Sequence, residues 1–156
     1  MKKLVKDLFI VLASTMVITV CTAAETVNPS LTRNNQEYTA ENLNPIDKAE
    51  RECISKTADT YEMNICSQIA QQSWEKDIQK TLAELKKILN PEDYKKLQIS
   101  QVSWENYKNK DYNLIDSVVS YKQGTMYLNF REGWRTEIVK QRALILRGYL
   151  NTLKED

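Results

Sequence analysis

The stretch from Thr60 to Leu89 contains neither Gly nor Pro, and its apolar residues recur at the spacing of an α-helix. The residues on this pattern are Ile65, Ile69, Ile78, Leu82, Leu85 and Leu89, with Trp74 beside them. Residues three and four positions apart lie on one face of a helix, so the pattern predicts a long amphipathic helix. The chain has only three Gly and three Pro and no run with strand periodicity, which makes helices the only regular structure that it favours.

Two Asn-Pro pairs mark where helices begin. In both Asn44-Pro45 and Asn90-Pro91, Asn suits the N-cap and Pro suits the first helical position, where a backbone N–H would have no partner. Thr60 is the predicted N-cap of the second helix, Gly124 marks a break, and a last helix is expected over residues 125–150. The predicted fold is all-α, a small antiparallel bundle of three to four helices joined by short turns.

The third and fourth helices carry different stripes. The third has a mixed stripe: Tyr94, Leu97, Gln101, Trp104, Lys108, Asp111, Ile115 and Val118. Its polar centre either pairs inside the bundle or lines a groove, since unpaired polar groups are costly to bury. The predicted inner face of the fourth helix consists of Phe130, Trp134, Ile138, Ile145 and Tyr149.

Residues 1–23 have the pattern of a secretory signal peptide, with a basic start, an uncharged apolar run over residues 8–20 and small residues at 22–24. The run is short for a membrane span, so the uncleaved anchor is the weaker alternative. Acylation of Cys21 would give a lipid anchor instead of a cleaved, free protein. It is the weaker alternative, because a lipoprotein signal needs a small residue directly before the cysteine and Val20 stands there. We predict a flexible leader over residues 24–44, a helical domain over residues 45–153, and a periplasmic or secreted protein without a membrane span after cleavage.

Removal of the signal peptide leaves Cys53 and Cys66. An even number of cysteines in an oxidising compartment predicts a disulfide, and two free buried thiols are the alternative. The disulfide would join the first predicted helix to the start of the second.

Composition excludes several classes of function. The chain has 22 basic and 21 acidic residues, without the basic excess of a nucleic-acid-binding protein. It contains no His, so a His base, a His nucleophile pair and a Cys-His metal site are excluded, and no cofactor motif is present. Nothing distinguishes carboxylates such as Glu84 or Asp111 from a solvated helix face, and we therefore predict that the protein is not an enzyme.

The three tryptophans, Trp74, Trp104 and Trp134, fall on three different predicted helices. Aromatic residues at helical spacing are usually core residues, and this is the favoured interpretation. The alternative is that Trp104 and Tyr107, beside Gln101, open onto a recognition surface, since Trp and Tyr are common in binding hot spots.

Two motifs carry a family resemblance. Residues 60–66, TYEMNIC, place Thr60, Asn64 and Cys66 in a T-x-x-x-N-x-C pattern, and Gln101 and Trp104 form a Gln-x-x-Trp pattern that Tyr107 follows. These motifs resemble those of the LprI-type lysozyme inhibitor family. The resemblance implies an exported, α-helical, disulfide-containing envelope protein and, for its activity, inhibition of lysozyme.

Two hypotheses for the partner follow. In the first, the protein binds and inhibits lysozyme-type muramidases. Its candidate contact is the acidic front of the domain, with Glu50, Glu52, Asp59 and Glu62, because many such enzymes are basic. In the second, it binds a different envelope or secreted protein through the stripe around Gln101, Lys108 and Asp111. Gln101, Trp104 and Tyr107 complete the set of candidate contact residues.

Overall fold

The computed structural model describes residues 43–155, which contain four α-helices and no strand. The helices are α1 (Pro45–Ile54), α2 (Thr60–Ile88), α3 (Pro91–Ser120) and α4 (Met126–Thr152). The all-α prediction is confirmed. The predicted signal peptide and nearly all of the predicted leader lie outside the described residues. None of the described helices combines the length and the hydropathy that a membrane span requires.

Three of the four described helices, α1, α2 and α3, begin at side-chain caps. The Oδ1 of Asn44 accepts from the backbone N–H of Ile46 at 3.0 Å, and the Oδ1 of Asn90 accepts from that of Asp93 at 2.9 Å, which confirms both Asn-Pro starts. The prediction for α2 was wrong by one residue. Its N-cap is Asp59, whose carboxylate accepts two backbone N–H groups at the start of the helix, a charge-assisted arrangement that Thr60 could not provide.

The core forms where α4 packs along α2. Three hydrogen bonds join residues of α2 to residues in or just after α4, and the residue number rises on both sides from one to the next. They are Ser67 with Thr136, Asp77 with Arg147, and Glu84 with Lys154. The two helices therefore run parallel, and α3 runs antiparallel to each. The buried cluster consists of Trp74, Ile78, Leu85, Leu97, Val139, Ala143, Leu146 and Leu150.

The predicted inner face of α4 was wrong. Phe130, Trp134, Ile145 and Tyr149 are exposed, and Ile138 is only half-buried. The face that packs against α2 is Thr136, Val139, Ala143, Leu146 and Leu150. These are smaller side chains that alternate at steps of three and four, and they let the two helices approach closely.

The predicted face of α2 was correct only in its second half. Ile78 and Leu85 are buried, and Leu82 and Leu89 pack against the core. Ile65 and Ile69 are exposed, because the first half of α2 turns Asn64, Cys66, Ser67 and Ala70 inward instead.

The remaining elements close the bundle. Helix α3 buries Leu97, Gln101 and Ile115, and it ends before Gly124, whose φ of +106° is a conformation that L side chains rarely adopt. Helix α1 is joined to α2 by a disulfide between Cys53 and Cys66, with the two Cα atoms 5.7 Å apart. The predicted disulfide is confirmed.

Candidate functional site

The acidic residues near the start of the domain do not form one free surface. Asp59 is occupied as the N-cap of α2, and Glu62 accepts a hydrogen bond from the hydroxyl of Thr57. Glu50 is half-buried, and Glu52 is exposed and lies 4.0 Å from the ammonium of Lys48. Glu52 and Glu62 are thus the two candidates with exposed side chains that do not cap a helix. We name these two residues the acidic end.

Glu50 lies in a crowded position between α1, α2 and α4. Burial raises the pKa of its carboxyl, a hydrogen bond with Ser67 opposes that effect, and the nearby charges are Asp47, Lys140 and Glu137. The folded state therefore holds the proton of Glu50 more tightly than the unfolded chain does. The associated stability is complete at low pH and is lost as the pH rises through the raised pKa.

We expect Glu50→Gln to raise the melting temperature at pH 7, because the amide mimics the protonated acid that the fold favours. The advantage should shrink as the pH is lowered toward 4.5, the ordinary pKa of glutamate. Thermal unfolding followed by circular dichroism from pH 4 to pH 8 measures this. Glu52→Gln removes the same charge from the exposed side of α1 and is the matched control. Equal behaviour of the two variants would contradict the prediction.

The polar stripe on α3 divides between two sides of the helix. Lys108 faces α2, where its Nζ lies 3.8 Å from the Oε1 of Glu75 and 5.1 Å from the ring centre of Trp104. Asp111 faces α4, and its Oδ2 accepts from the Oη of Tyr107 at 3.2 Å. The half-buried Trp104 borders both sides. The stripe that was predicted as one candidate surface therefore lies on two sides of α3.

The side that faces α4 is a groove of about 460 Å³, which we name the α3–α4 groove. Its lining residues are Trp104, Tyr107, Asp111, Ile115, Trp134, Glu137, Ile138, Gln141, Arg142 and Ile145. Apolar side chains make up most of this surface. Phe130 stacks on Trp134 with ring centres 6.0 Å apart and extends the aromatic surface toward the start of α4.

Arg142 forms the floor of the α3–α4 groove, and Gln101 lies beneath it. The Nε of Arg142 donates to the Oε1 of Gln101 at 3.0 Å, its Nη2 donates to the Oγ of Ser100 at 3.3 Å, and its guanidinium carbon lies 5.9 Å from the ring centre of Trp104. Burial lowers the pKa of Arg142. Gln101 is therefore a buried residue that positions Arg142.

The structure brings together only part of the predicted set. Trp104 and Tyr107 line the α3–α4 groove, Gln101 lies beneath it, and the four acidic candidates lie elsewhere, on α1 and at the start of α2. Sequence reasoning missed Trp134 and Ile145 as surface residues because it assigned them to the core. A signal was present: the stripe from Thr136 to Leu150 follows the three-four alternation more regularly.

Two comparisons relate the chain to known proteins, and a third found no match. A family model described as lysozyme inhibitor LprI matches residues 53–146. The crystal structure of an uncharacterized protein from Burkholderia thailandensis is similar, with a TM-score of 0.67 and 28% sequence identity over 72% of this chain and 56% of that one. The present chain thus spans little more than half the length of that protein. No curated protein matches the present chain.

Proposed function

This chain belongs to the lysozyme inhibitor LprI family, and from that premise we propose that it is exported to the periplasm or beyond, where it binds and inhibits lysozyme-type muramidases. The observation that carries the proposal is the family match over residues 53–146, which takes in all of α2, all of α3 and most of α4. The basic, apolar and small-residue pattern of residues 1–23 supports export.

The physical logic is occlusion. A muramidase works in an open cleft that carries two carboxyl groups, so a rigid protein bound over the cleft prevents the glycan strand from entering. The helical bundle supplies rigidity, and the disulfide between Cys53 and Cys66 fixes α1 against α2. Side chains that are already ordered lose little entropy on binding, which favours affinity.

Attraction at a distance is the proposed role of the acidic end. Glu52 and Glu62 are exposed, and acidic side chains speed the encounter with a basic enzyme. We expect the double variant Glu52→Lys and Glu62→Lys to slow association at low salt, with a smaller difference at high salt, because salt screens exposed charges. Glu50 and Asp59 are left unchanged, because the first is half-buried and the second caps α2.

A turbidity assay tests the function itself. Lysozyme clears a suspension of bacterial cells, and the purified, oxidised protein is titrated into the assay against a panel of basic lysozymes of different structural types. Saturable inhibition near a one-to-one ratio is the expected result. Failure to slow clearing with every lysozyme of the panel would overturn the proposal.

The second candidate function is that of an envelope protein that binds a protein other than a muramidase through the exposed residues of the α3–α4 groove. The observation that favours it is the apolar character of the α3–α4 groove, which does not by itself require a basic partner. Capture from envelope extract of one identified protein that is not a muramidase, together with failure in the turbidity assay, would select this candidate.

A further inference from the structure

The α3–α4 groove has two properties that the packing of the bundle does not require: exposed aromatic walls and carboxylates without a cation. We infer that this groove is the inhibitory contact and that it takes a lysine or arginine side chain of the muramidase, flanked by apolar residues of the same partner. The inference rests on the proposed function and specifies the surface that performs it.

The walls of the groove are adjoining apolar side chains that remain in water. Tyr107 is 54% exposed, Trp134 is 46% exposed and Ile145 is 45% exposed. They project from the middle of α3 and α4, and Trp134 is supported by its stacking on Phe130. Adjoining exposed aromatics on rigid helices are typical of binding hot spots, whereas isolated exposed apolar residues are ordinary.

The carboxylates of the groove have no cationic partner. Within residues 43–155, most acidic side chains form ion pairs, such as Asp47 with Lys140 and Asp77 with Arg147 at 2.8 and 2.6 Å. Asp111 and Glu137 form none in that part of the chain. Each accepts only a neutral hydrogen bond, Asp111 from Tyr107 at 3.2 Å and Glu137 from Gln141 at 2.5 Å.

The exposed aromatic walls and the carboxylates without a cationic partner together favour a positively charged side chain as the ligand of the groove. A Lys or Arg side chain that enters between Asp111 and Glu137 gains charge-assisted hydrogen bonds, and Trp134 and Tyr107 offer ring faces for a cation–π contact. The apolar stem of the same side chain lies against Ile145 or Ile138. A neutral apolar segment would instead leave both carboxylates desolvated without compensation, which is costly.

Arg142 does not supply the missing cation. It is only 8% exposed, and its guanidinium is turned toward Gln101 and Ser100 on α3. Glu137 is exposed and Asp111 is half-buried, so an incoming positive charge meets the carboxylates before it reaches the floor of the groove. The surface that the groove presents is therefore apolar with a negative rim, which complements a basic enzyme.

The extent of the family match favours this groove over the acidic end. Every residue that lines the groove, from Trp104 to Ile145, lies inside the matched residues 53–146. Of the acidic end, Glu62 lies inside these residues and Glu52 lies one residue before them. The acidic end can assist the encounter, but the groove is the surface that the family match contains in full.

The test compares two groove variants of the full exported protein, purified from the envelope fraction, in their binding to a lysozyme that the wild type inhibits. We expect Trp134→Ala to weaken binding at least about tenfold, since a hot-spot residue contributes more than 1.4 kcal/mol. We expect the double variant Asp111→Asn and Glu137→Gln to weaken it several-fold and to flatten the dependence of the dissociation constant on salt.

Two matched controls lie outside the groove. Ile69→Ala shortens an exposed apolar residue of α2, and the double variant Glu92→Gln and Glu155→Gln removes two exposed charges. Both should bind and inhibit as the wild type does, and circular dichroism checks the fold of each variant. If the wild type inhibits but the groove variants match their controls, the groove is not the contact and only this inference fails. If the wild type inhibits no lysozyme, the proposed function and the inference fail together.

Discussion

Replacing Trp74 with Ala should lower the free energy of unfolding by about 3–5 kcal/mol, the range for removing a buried aromatic side chain from a core. Trp74 is fully buried on α2, in the cluster that includes Ile78 and Val139. Its ring also lies beneath two cations of α4, with the Nζ of Lys140 6.0 Å and the guanidinium carbon of Arg147 5.4 Å from the ring centre. Since small domains are stable by only about 5–15 kcal/mol, this loss should leave a substantial unfolded fraction near physiological temperature.

Urea unfolding followed by far-ultraviolet circular dichroism measures the change without using tryptophan fluorescence. Trp74→Phe is the matched control. The Nε1 of Trp74 is buried without a hydrogen-bond partner among the described residues, so phenylalanine keeps most of the apolar volume and loses no hydrogen bond. We expect a clearly smaller loss of stability for Phe than for Ala. Equal losses would mean that the cation–π contacts and the indole shape, and not buried volume, account for the role of Trp74.

The starts of the helices could be predicted from the sequence because caps are local. Asn44 and Asn90 act on backbone groups two or three residues away, and a following Pro fits only one position of a helix. Thr60 was the wrong cap for an equally local reason. Asp59, one residue earlier, accepts two N–H groups and also places a negative charge at the positive end of the helix dipole.

The buried face of α4 could not be predicted in the same way, because the helix has two apolar stripes. The stripe of large residues, with Trp134 and Tyr149, carries more apolar area, but the stripe of Thr136, Val139 and Ala143 packs against α2. Small side chains on this stripe allow close approach, and the Oγ1 of Thr136 donates to the carbonyl of Ser67 at 3.1 Å. Regular spacing favours the stripe of small residues and apolar area favours the other, and the shape of the partner helix decides between them.

The same ambiguity explains how much of the candidate site was foreseen. The Gln-x-x-Trp pattern directed attention to Gln101, Trp104 and Tyr107, and the groove does lie beside them. Its opposite wall, with Trp134, was missed because that residue had been assigned to the core. Pairing of Gln101 inside the bundle was one of the two open alternatives for the α3 stripe. Its partner, Arg142, is 41 residues away and only the tertiary fold brings it near.

Gln101 and Arg142 provide the second large effect, which takes the form of a double-mutant cycle. Gln101→Leu removes the acceptor of the Nε of Arg142, a residue that is only 8% exposed, and we expect a loss of stability of about 2–3 kcal/mol, since the charged group is left with fewer hydrogen bonds. Arg142→Met leaves the Oε1 of Gln101 without its donor, and we expect a loss of about 1–2 kcal/mol.

The double variant, Gln101→Leu with Arg142→Met, should be more stable than the sum of the two losses predicts, by about 1–3 kcal/mol, because it leaves neither partner unsatisfied. Strictly additive losses, measured by urea unfolding, would show that the bond between the two side chains contributes nothing beyond their separate packing.

The double variant also separates stability from recognition. Removal of the positive charge at the floor of the groove should by itself favour an incoming cation. If the double variant is as stable as expected but no longer inhibits lysozyme, the guanidinium of Arg142 therefore supports the groove by holding the ring of Trp104 in place. If inhibition is retained or improved, the walls and the carboxylates of the groove are sufficient, and the buried pair serves the fold alone.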